Sequence, residues 1–152
     1  MFSACFSGTT KGPSLFWEKE WGSINKSYCE EIVPLVHGWL CLNPHLSFMQ
    51  DGVPGHSAAS TLEELRTRGV YPIFWPAFSP DLNLIEAIWN RMKDYIESCY
   101  PDLPSGKQYT YEQLRLIVRE AWESISPNML RELIDSRKDR CQAVIDAGHT
   151  KY

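Results

Sequence analysis

Leu46-Ser47-Phe48-Met49-Gln50-Asp51-Gly52-Val53-Pro54-Gly55, and further on Gly69-Val70-Tyr71-Pro72-Ile73-Phe74-Trp75, form the stretch on which the fold turns. Leu46 to Gln50 is a compact apolar run with strand character. It ends at Asp51, and Gly52 to Gly55 can continue neither strand nor helix. Ser57 to Arg68 carries Ala58, Leu62 and Leu65 on one stripe and stops at Gly69, a residue type that ends helices because it accepts a left-handed backbone. Tyr71 to Trp75 is a second short apolar run. Strand, helix, strand over 46–75 reads as a parallel crossover unit, so the fold class is mixed α/β.

The same punctuation organises the flanks. Phe2–Phe6 and Leu15–Trp17 are short apolar runs separated by Ser7-Gly8-Thr9-Thr10-Lys11-Gly12-Pro13, an antiparallel hairpin within residues 1–20. Over 23–42, Ile24, Tyr28, Ile32, Leu35, Val36, Trp39 and Leu40 recur at helical spacing, and Pro34 predicts a kink or a restart. Beyond Trp75 a proline-braced segment leads to helices over 81–147, which make the C-terminal third helical. The first carries Ile85, Ile88, Trp89, Met92, Ile96 and Cys99 on its apolar stripe, with Glu86 in its first turn. Thr110-x-x-Gln113 is a capping box opening a helix with Tyr111, Leu114, Val118, Ala121, Trp122 and Ile125 on one face. Ser126-Pro127 starts the last helix, with Leu130, Leu133, Ile134, Cys141, Val144 and Ile145 inward.

At 152 residues the chain fits one domain, and 43% hydrophobic with 22% charged residues is a globular composition. The longest apolar stretch, Ile32 to Leu42, falls well short of the roughly 20 residues that cross a bilayer. Met1 to Gly12 has neither a basic start nor a sustained apolar run, so no secretory signal is expected and the location is intracellular. Five scattered cysteines (Cys5, Cys29, Cys41, Cys99, Cys141) form no C-x-x-C pair and are expected to be free and mostly buried. A net charge of -4 excludes bulk attraction to nucleic-acid phosphates, so any DNA contact must be local.

Two acids stand out by placement. Asp51 ends a strand, Glu86 opens a helix, and 34 residues separate them. In open α/β sheets ligands sit beyond the carboxyl ends of strands. Two carboxylates that meet there repel unless a cation joins them, and hard oxygen ligands suit Mg²⁺ or Mn²⁺.

Phe48-Met49-Gln50-Asp51-Gly52-Val53-Pro54-Gly55-His56, with Trp75-Pro76-Ala77-Phe78-Ser79-Pro80-Asp81-Leu82-Asn83-Leu84-Ile85-Glu86-Ala87-Ile88-Trp89, resembles the catalytic core of mariner-type (Tc/mariner) transposases of the DDE superfamily. The resemblance runs over almost the whole chain. It implies a ribonuclease-H-like mixed sheet flanked by helices, three acidic residues, two divalent metals (Mg²⁺ or Mn²⁺), and DNA as substrate. Asp51 would be the second acid and Glu86 the third, both catalytic and metal-binding; His56 would be an accessory residue beside Asp51, orienting the loop or touching phosphate, or else a structural residue at a helix start. Asn83, with Ser79 and Pro80, would shape the turn that positions Glu86, and Asp81, just before the helix, would serve as its N-cap or in its first turn. No Asp precedes Asp51. The expectation is therefore a partial, N-terminally truncated domain over 1–152 that lacks the family's first, central strand and its first acid and is inactive alone. Phe2–Phe6 would then pair directly with Leu46–Gln50, or the chain would be marginally stable. Nuclear location if eukaryotic follows from a DNA substrate, and the family allows a homo-oligomer. The alternative is a non-enzymatic transposon remnant or recruited interaction domain. Trp75, Trp89 and Trp122 are expected in core packing rather than base stacking, Arg131, Arg137, Lys138 and Arg140 on a solvated helix face, and His37, His45 and His149 in structural or solvated places.

Overall fold

The computed structural model describes residues 1–18, 21, 28–73, 82–103 and 108–147. It is mixed α/β and mostly helical. Two compact units share the chain, the first including Met1–Cys5 and Gly12–Ser79, the second Phe6–Lys11 and Pro80–Gly148.

Strands β1 (Phe2–Ser7) and β2 (Thr10–Phe16) pair as a two-stranded sheet. The hairpin is longer and its turn tighter than the sequence suggests, because Gly8 adopts φ +52° and lets Gly8-Thr9 alone reverse the chain. Thr10 to Pro13 thus belong to β2. Pro13 is tolerated there because a two-stranded sheet consists of edges. Gly12 has a steric reason: a Cβ on it would lie 2.6 Å from Cys5 Sγ and 2.9 Å from the Trp39 ring. Phe2 and Phe16 stack with ring centroids 4.8 Å apart at the open end of the hairpin.

Pro34 sits in the first turn of α1 (Val33–Leu42), where its missing N–H breaks no helical bond; a π-helical turn, Tyr28–Ile32, leads into it. The restart is as the sequence indicates; residues 22–27 lie outside the described set. Ile32, Val33 and Val36 are buried and Trp39 and Leu40 half-buried, whereas Leu35 is exposed. Val33, absent from the apolar periodicity, is the most buried of the group.

After a single helical turn, α2 (Pro54–Ser57), helix α3 spans Ala59–Thr67. Leu65 is inward as expected, but its companion is Thr61, and Leu62 is exposed. The stop is as expected. Gly69 takes φ +71°, its N–H donates to Arg66 O at 2.9 Å, and Val70 N–H donates to Leu65 O at 2.8 Å. That pair of bonds is a Schellman ending, completed by the apolar contact across it. Leu65 and Val70 join Ile32, Val33 and Val36 in one core cluster, with Leu15, Trp17, Leu40 and Phe48 packed on its margin.

The predicted strands 46–50 and 71–75 are reduced to one parallel bridge, Met49 with Ile73, whose Ile73 N–H donates to Phe48 O at 2.8 Å. The parallel sense of the crossover holds. Ladders do not form because, among the described residues, neither segment has a further strand beside it, and isolated pairs of strands are marginal. The expected pairing of Phe2–Phe6 with Leu46–Gln50 is likewise absent among the described residues.

In the second unit α4 (Leu84–Cys99) packs on α5 (Tyr111–Ser124) and α6 (Pro127–Asp135). Leu84, Ile88 and Met92 form the buried stripe of α4, facing Ile117, Ala121, Trp122, Ile125 and Leu130 of the same unit's core. Tyr111 and Leu114, assigned inward by periodicity, are exposed, and Ile117 takes their place. Trp89 and Trp122 pack with centroids 6.2 Å apart, as core residues; Trp75 lies outside the described set. The capping box is complete: Gln113 N–H donates to Thr110 Oγ1 at 3.2 Å and Thr110 N–H to Gln113 Oε1 at 2.8 Å. Ser126 Oγ caps α6 by accepting from Met129 N–H at 3.2 Å. The predicted single last helix is two, α6 and α7 (Arg137–Asp146), broken at Ser136, whose hydroxyl donates back to Leu133 O at 2.8 Å. That local bond competes with the helical ladder. Only Leu130 of the predicted inward set is buried; Ile134, Cys141 and Ile145 are exposed.

The expectation of buried cysteines is corrected. Cys41, Cys99 and Cys141 are free and exposed, since Cys41 and Cys99 fall in the last turns of their helices and α7 buries no residue. Among the cysteines whose side chains are described, Cys5 alone is half-buried. Its thiol donates to Pro13 O at 3.6 Å, and burial pushes its pKa up to about 12.

Two measurements follow from this packing. Gly69→Ala should cost about 1 to 2 kcal/mol, the strain of a left-handed Cβ, and Gly12→Ala about 1 to 3 kcal/mol from overpacking, both read as urea-midpoint shifts. Alkylation of the native chain at pH 8 should label Cys41, Cys99 and Cys141 and spare Cys5, whose raised pKa leaves almost no thiolate until the pH climbs toward 12. Equal labelling of Cys5 would contradict that burial.

Candidate functional site

Asp51 follows the Met49 bridge by two residues, at the start of a short loop that closes on itself. Val53 is extended (φ -61°, ψ 152°), as the residue before a proline prefers, and Pro54 opens α2 with its ring presetting the helical φ. His56 N–H and Ser57 N–H both donate to Val53 O, at 2.9 and 3.0 Å. The Gln50 side chain donates across the loop to His56 O at 3.1 Å. Inside this frame Asp51 Oδ1 accepts from Val53 N–H at 3.3 Å and meets His56 Nδ1 at 2.6 Å. Asp51 and His56 side chains are 32% and 24% exposed, so the pair is partly screened but within reach of solvent ions. Asp51 Oδ2 accepts no hydrogen bond among the described residues.

Glu86 belongs to the first turn of α4. Asn83 is the residue preceding the helix, and its carbonyl accepts from Glu86 N–H at 3.1 Å. Asn83 shapes this helix start through its backbone and its burial, 6% exposed, rather than through a side-chain cap. Glu86 lies about 200° around the helix from Leu84 at ~100° per residue, so its half-buried carboxylate is on the side away from the stripe that packs the unit. A negative charge in a first turn is favourable. The Glu86 carboxylate has no ion pair or hydrogen bond among the described residues.

The structure thus joins Asp51 to His56, and Asn83 to Glu86. Asp51 belongs to the first unit and Glu86 to the second. Among the described residues no three His, Cys, Asp or Glu side chains gather into a cage. Ser79, Pro80, Asp81 and His149 lie outside the described residues. Elsewhere, Cys41 Sγ lies 3.4 Å from His37 Nε2 one helical turn away. Arg131, Arg137 and Lys138 are exposed, and Arg140 donates to Ser136 Oγ at 3.1 Å. The Gln50 brace escaped the sequence reading; its signal was an amide side chain next to the acid, at the strand end.

An acid on a proline-braced loop and a second on a helix start, 34 residues apart, lie within residues 29–105, which match the family model described as DDE superfamily endonuclease. The chain belongs to this DDE superfamily, in its Tc1/mariner transposase branch. It is 32% identical over 157 aligned positions to the Transposable element Tcb1 transposase of Caenorhabditis briggsae, an alignment taking in 100% of this chain and 54% of the relative. Identity to the Tc1 transposase of Caenorhabditis elegans is 31% over the same shares. The Tc3 transposase of Caenorhabditis elegans is 33% identical over 101 positions, 64% of this chain and 28% of the relative. The chain therefore spans about half the length of the first two relatives. DDE endonucleases generally use divalent metal ions. Among the described residues no helix is long and apolar enough to cross a membrane.

Proposed function

We propose that this chain forms part of a ribonuclease-H-like transposase core, acting in metal-dependent DNA cleavage and strand transfer, with Asp51 and Glu86 as the second and third acids. The observation that carries this reading is the uncommitted carboxylate oxygen of Asp51, held on a rigid loop within the family-matched segment. Both carboxylates are ionisable oxygen donors with free lone pairs, the donor set that suits Mg²⁺ or Mn²⁺. Metal ions bound there would supply charge stabilisation at the attacking and leaving oxygens of a phosphodiester. The chain's own contribution is to aim Asp51 through the loop 51–56 and Glu86 through the helix start at Asn83, with His56 as accessory to Asp51.

The family's first acid has no counterpart among these 152 residues, since no Asp precedes Asp51. These residues acting alone are therefore expected not to cut DNA. Substrate DNA would be held by local contacts, given the net charge of -4. In a eukaryotic cell such a substrate places the protein in the nucleus.

Calorimetry with Mn²⁺ tests the assignment. The unmodified chain should give a saturable heat that Asp51→Asn abolishes and Glu86→Gln weakens by about tenfold. Equal heats from the unmodified chain and Asp51→Asn would remove Asp51 from the site.

A further inference from the structure

We infer that His56 is a positioning residue that makes Asp51 a one-oxygen metal ligand and thereby sets which cations the site prefers. This rests on the reading of Asp51 as a metal-binding acid.

The chemistry of the contact settles which group donates. An ionised carboxylate only accepts hydrogen bonds, so the 2.6 Å contact with Asp51 Oδ1 requires the proton on His56 Nδ1. A charge-assisted bond of this length is among the stronger ones available to a side chain. Val53 N–H adds a second donor to the same oxygen at 3.3 Å. Oδ1 is therefore committed twice, and Oδ2 accepts nothing among the described residues. The backbone that carries the ring is anchored on both sides: His56 N–H donates to Val53 O at 2.9 Å, and His56 O accepts from Gln50 Nε2 at 3.1 Å. The ring thus reports the position of a braced loop to one oxygen of the acid.

The consequence is selectivity. A cation gripping both oxygens of Asp51 would have to displace the 2.6 Å contact, whereas one that takes a single oxygen would not. Ca²⁺ often uses bidentate carboxylates among six to eight ligands, while small octahedral ions such as Mg²⁺, and Mn²⁺ with it, take one oxygen per carboxylate and keep waters. His56 therefore favours the small ions over Ca²⁺. A residue that merely held the loop together would lower affinity for all of them alike.

The test is competition between Ca²⁺ and Mn²⁺ on the 152-residue chain, with free Mn²⁺ read by electron paramagnetic resonance. His56→Phe removes the donor, and His56→Asn keeps an N–H near the place of Nδ1. The phenylalanine variant should lose roughly tenfold of the Mn²⁺ over Ca²⁺ preference, and the asparagine variant should retain most of it. An unchanged preference in His56→Phe, with Mn²⁺ binding still abolished by Asp51→Asn, would overturn the role of His56 and leave Asp51 as a ligand. Loss of the Asp51 dependence itself would instead strike the reading beneath it. Should His56→Phe fail to fold, long-range proton–nitrogen spectra of the metal-free chain decide: a protonated Nδ1 that shifts on Asp51→Asn supports the contact, and a ring protonated at Nε2 alone refutes it.

Discussion

Burial of Leu65 against Val70, across the left-handed glycine between them, is the contact on which the placement of Asp51 depends. The Schellman ending turns the chain out of α3 and sends it back beside the residues it left, so that Ile73 can meet Phe48 and Met49. Helix α1 contributes the other half of the cluster through Ile32, Val33 and Val36. Each fully buried aliphatic side chain contributes about 1.5 to 3 kcal/mol, whereas the single bridge contributes one or two hydrogen bonds of about 1 kcal/mol each. Apolar packing, not strand pairing, therefore holds the strand-like segment in register. Asp51 inherits its place from that packing two residues downstream of the bridge.

Both acids share one device, a backbone that is stiff around the carboxylate. Pro54 and the bonds to Val53 O stiffen the loop after Asp51, and the Asn83 carbonyl with buried Leu84 and Ile88 fixes the rotation of α4 and hence of Glu86. Neither carboxylate is consumed by an ion pair with Lys or Arg among the described residues, although Arg68 bonds Glu64 at 2.7 Å and Lys11 approaches Glu123 at 3.4 Å nearby in their own units. Several other acids pair with a cation, a phenol or an amide: Glu64 with Arg68, Glu123 with Lys11, Glu120 with Tyr95 and Tyr100, and Asp146 with Gln142. Asp51 is paired instead with a histidine on one oxygen only. That contrast separates it from the acids that merely hold helices together.

Legibility followed the range of the interaction. The Gly69 stop, the Thr110–Gln113 box, the Ser126-Pro127 start and the restart at Pro34 were readable because each depends on residues within about five positions of one another. Exposed faces differ from expectation where a stripe has two adjacent candidates: Thr61 rather than Leu62 is buried, and Ile117 rather than Val118. Periodicity ranks hydrophobicity and ignores which face a neighbour covers.

Local sequence by itself determined where helices are capped, where the chain reverses, and which acids fall within the family's motif, because caps, prolines and glycines act through bonds to their own neighbours. Tertiary structure decided what those signals could not: that the strand-like runs shrink to one bridge, that α6 and α7 separate at Ser136, that Cys5 is half-buried while Cys41, Cys99 and Cys141 are exposed, and that His56 engages one oxygen of Asp51. Those outcomes depend on distances between segments remote in sequence, or on how a loop closes in space, and such distances are set by the packing of whole elements.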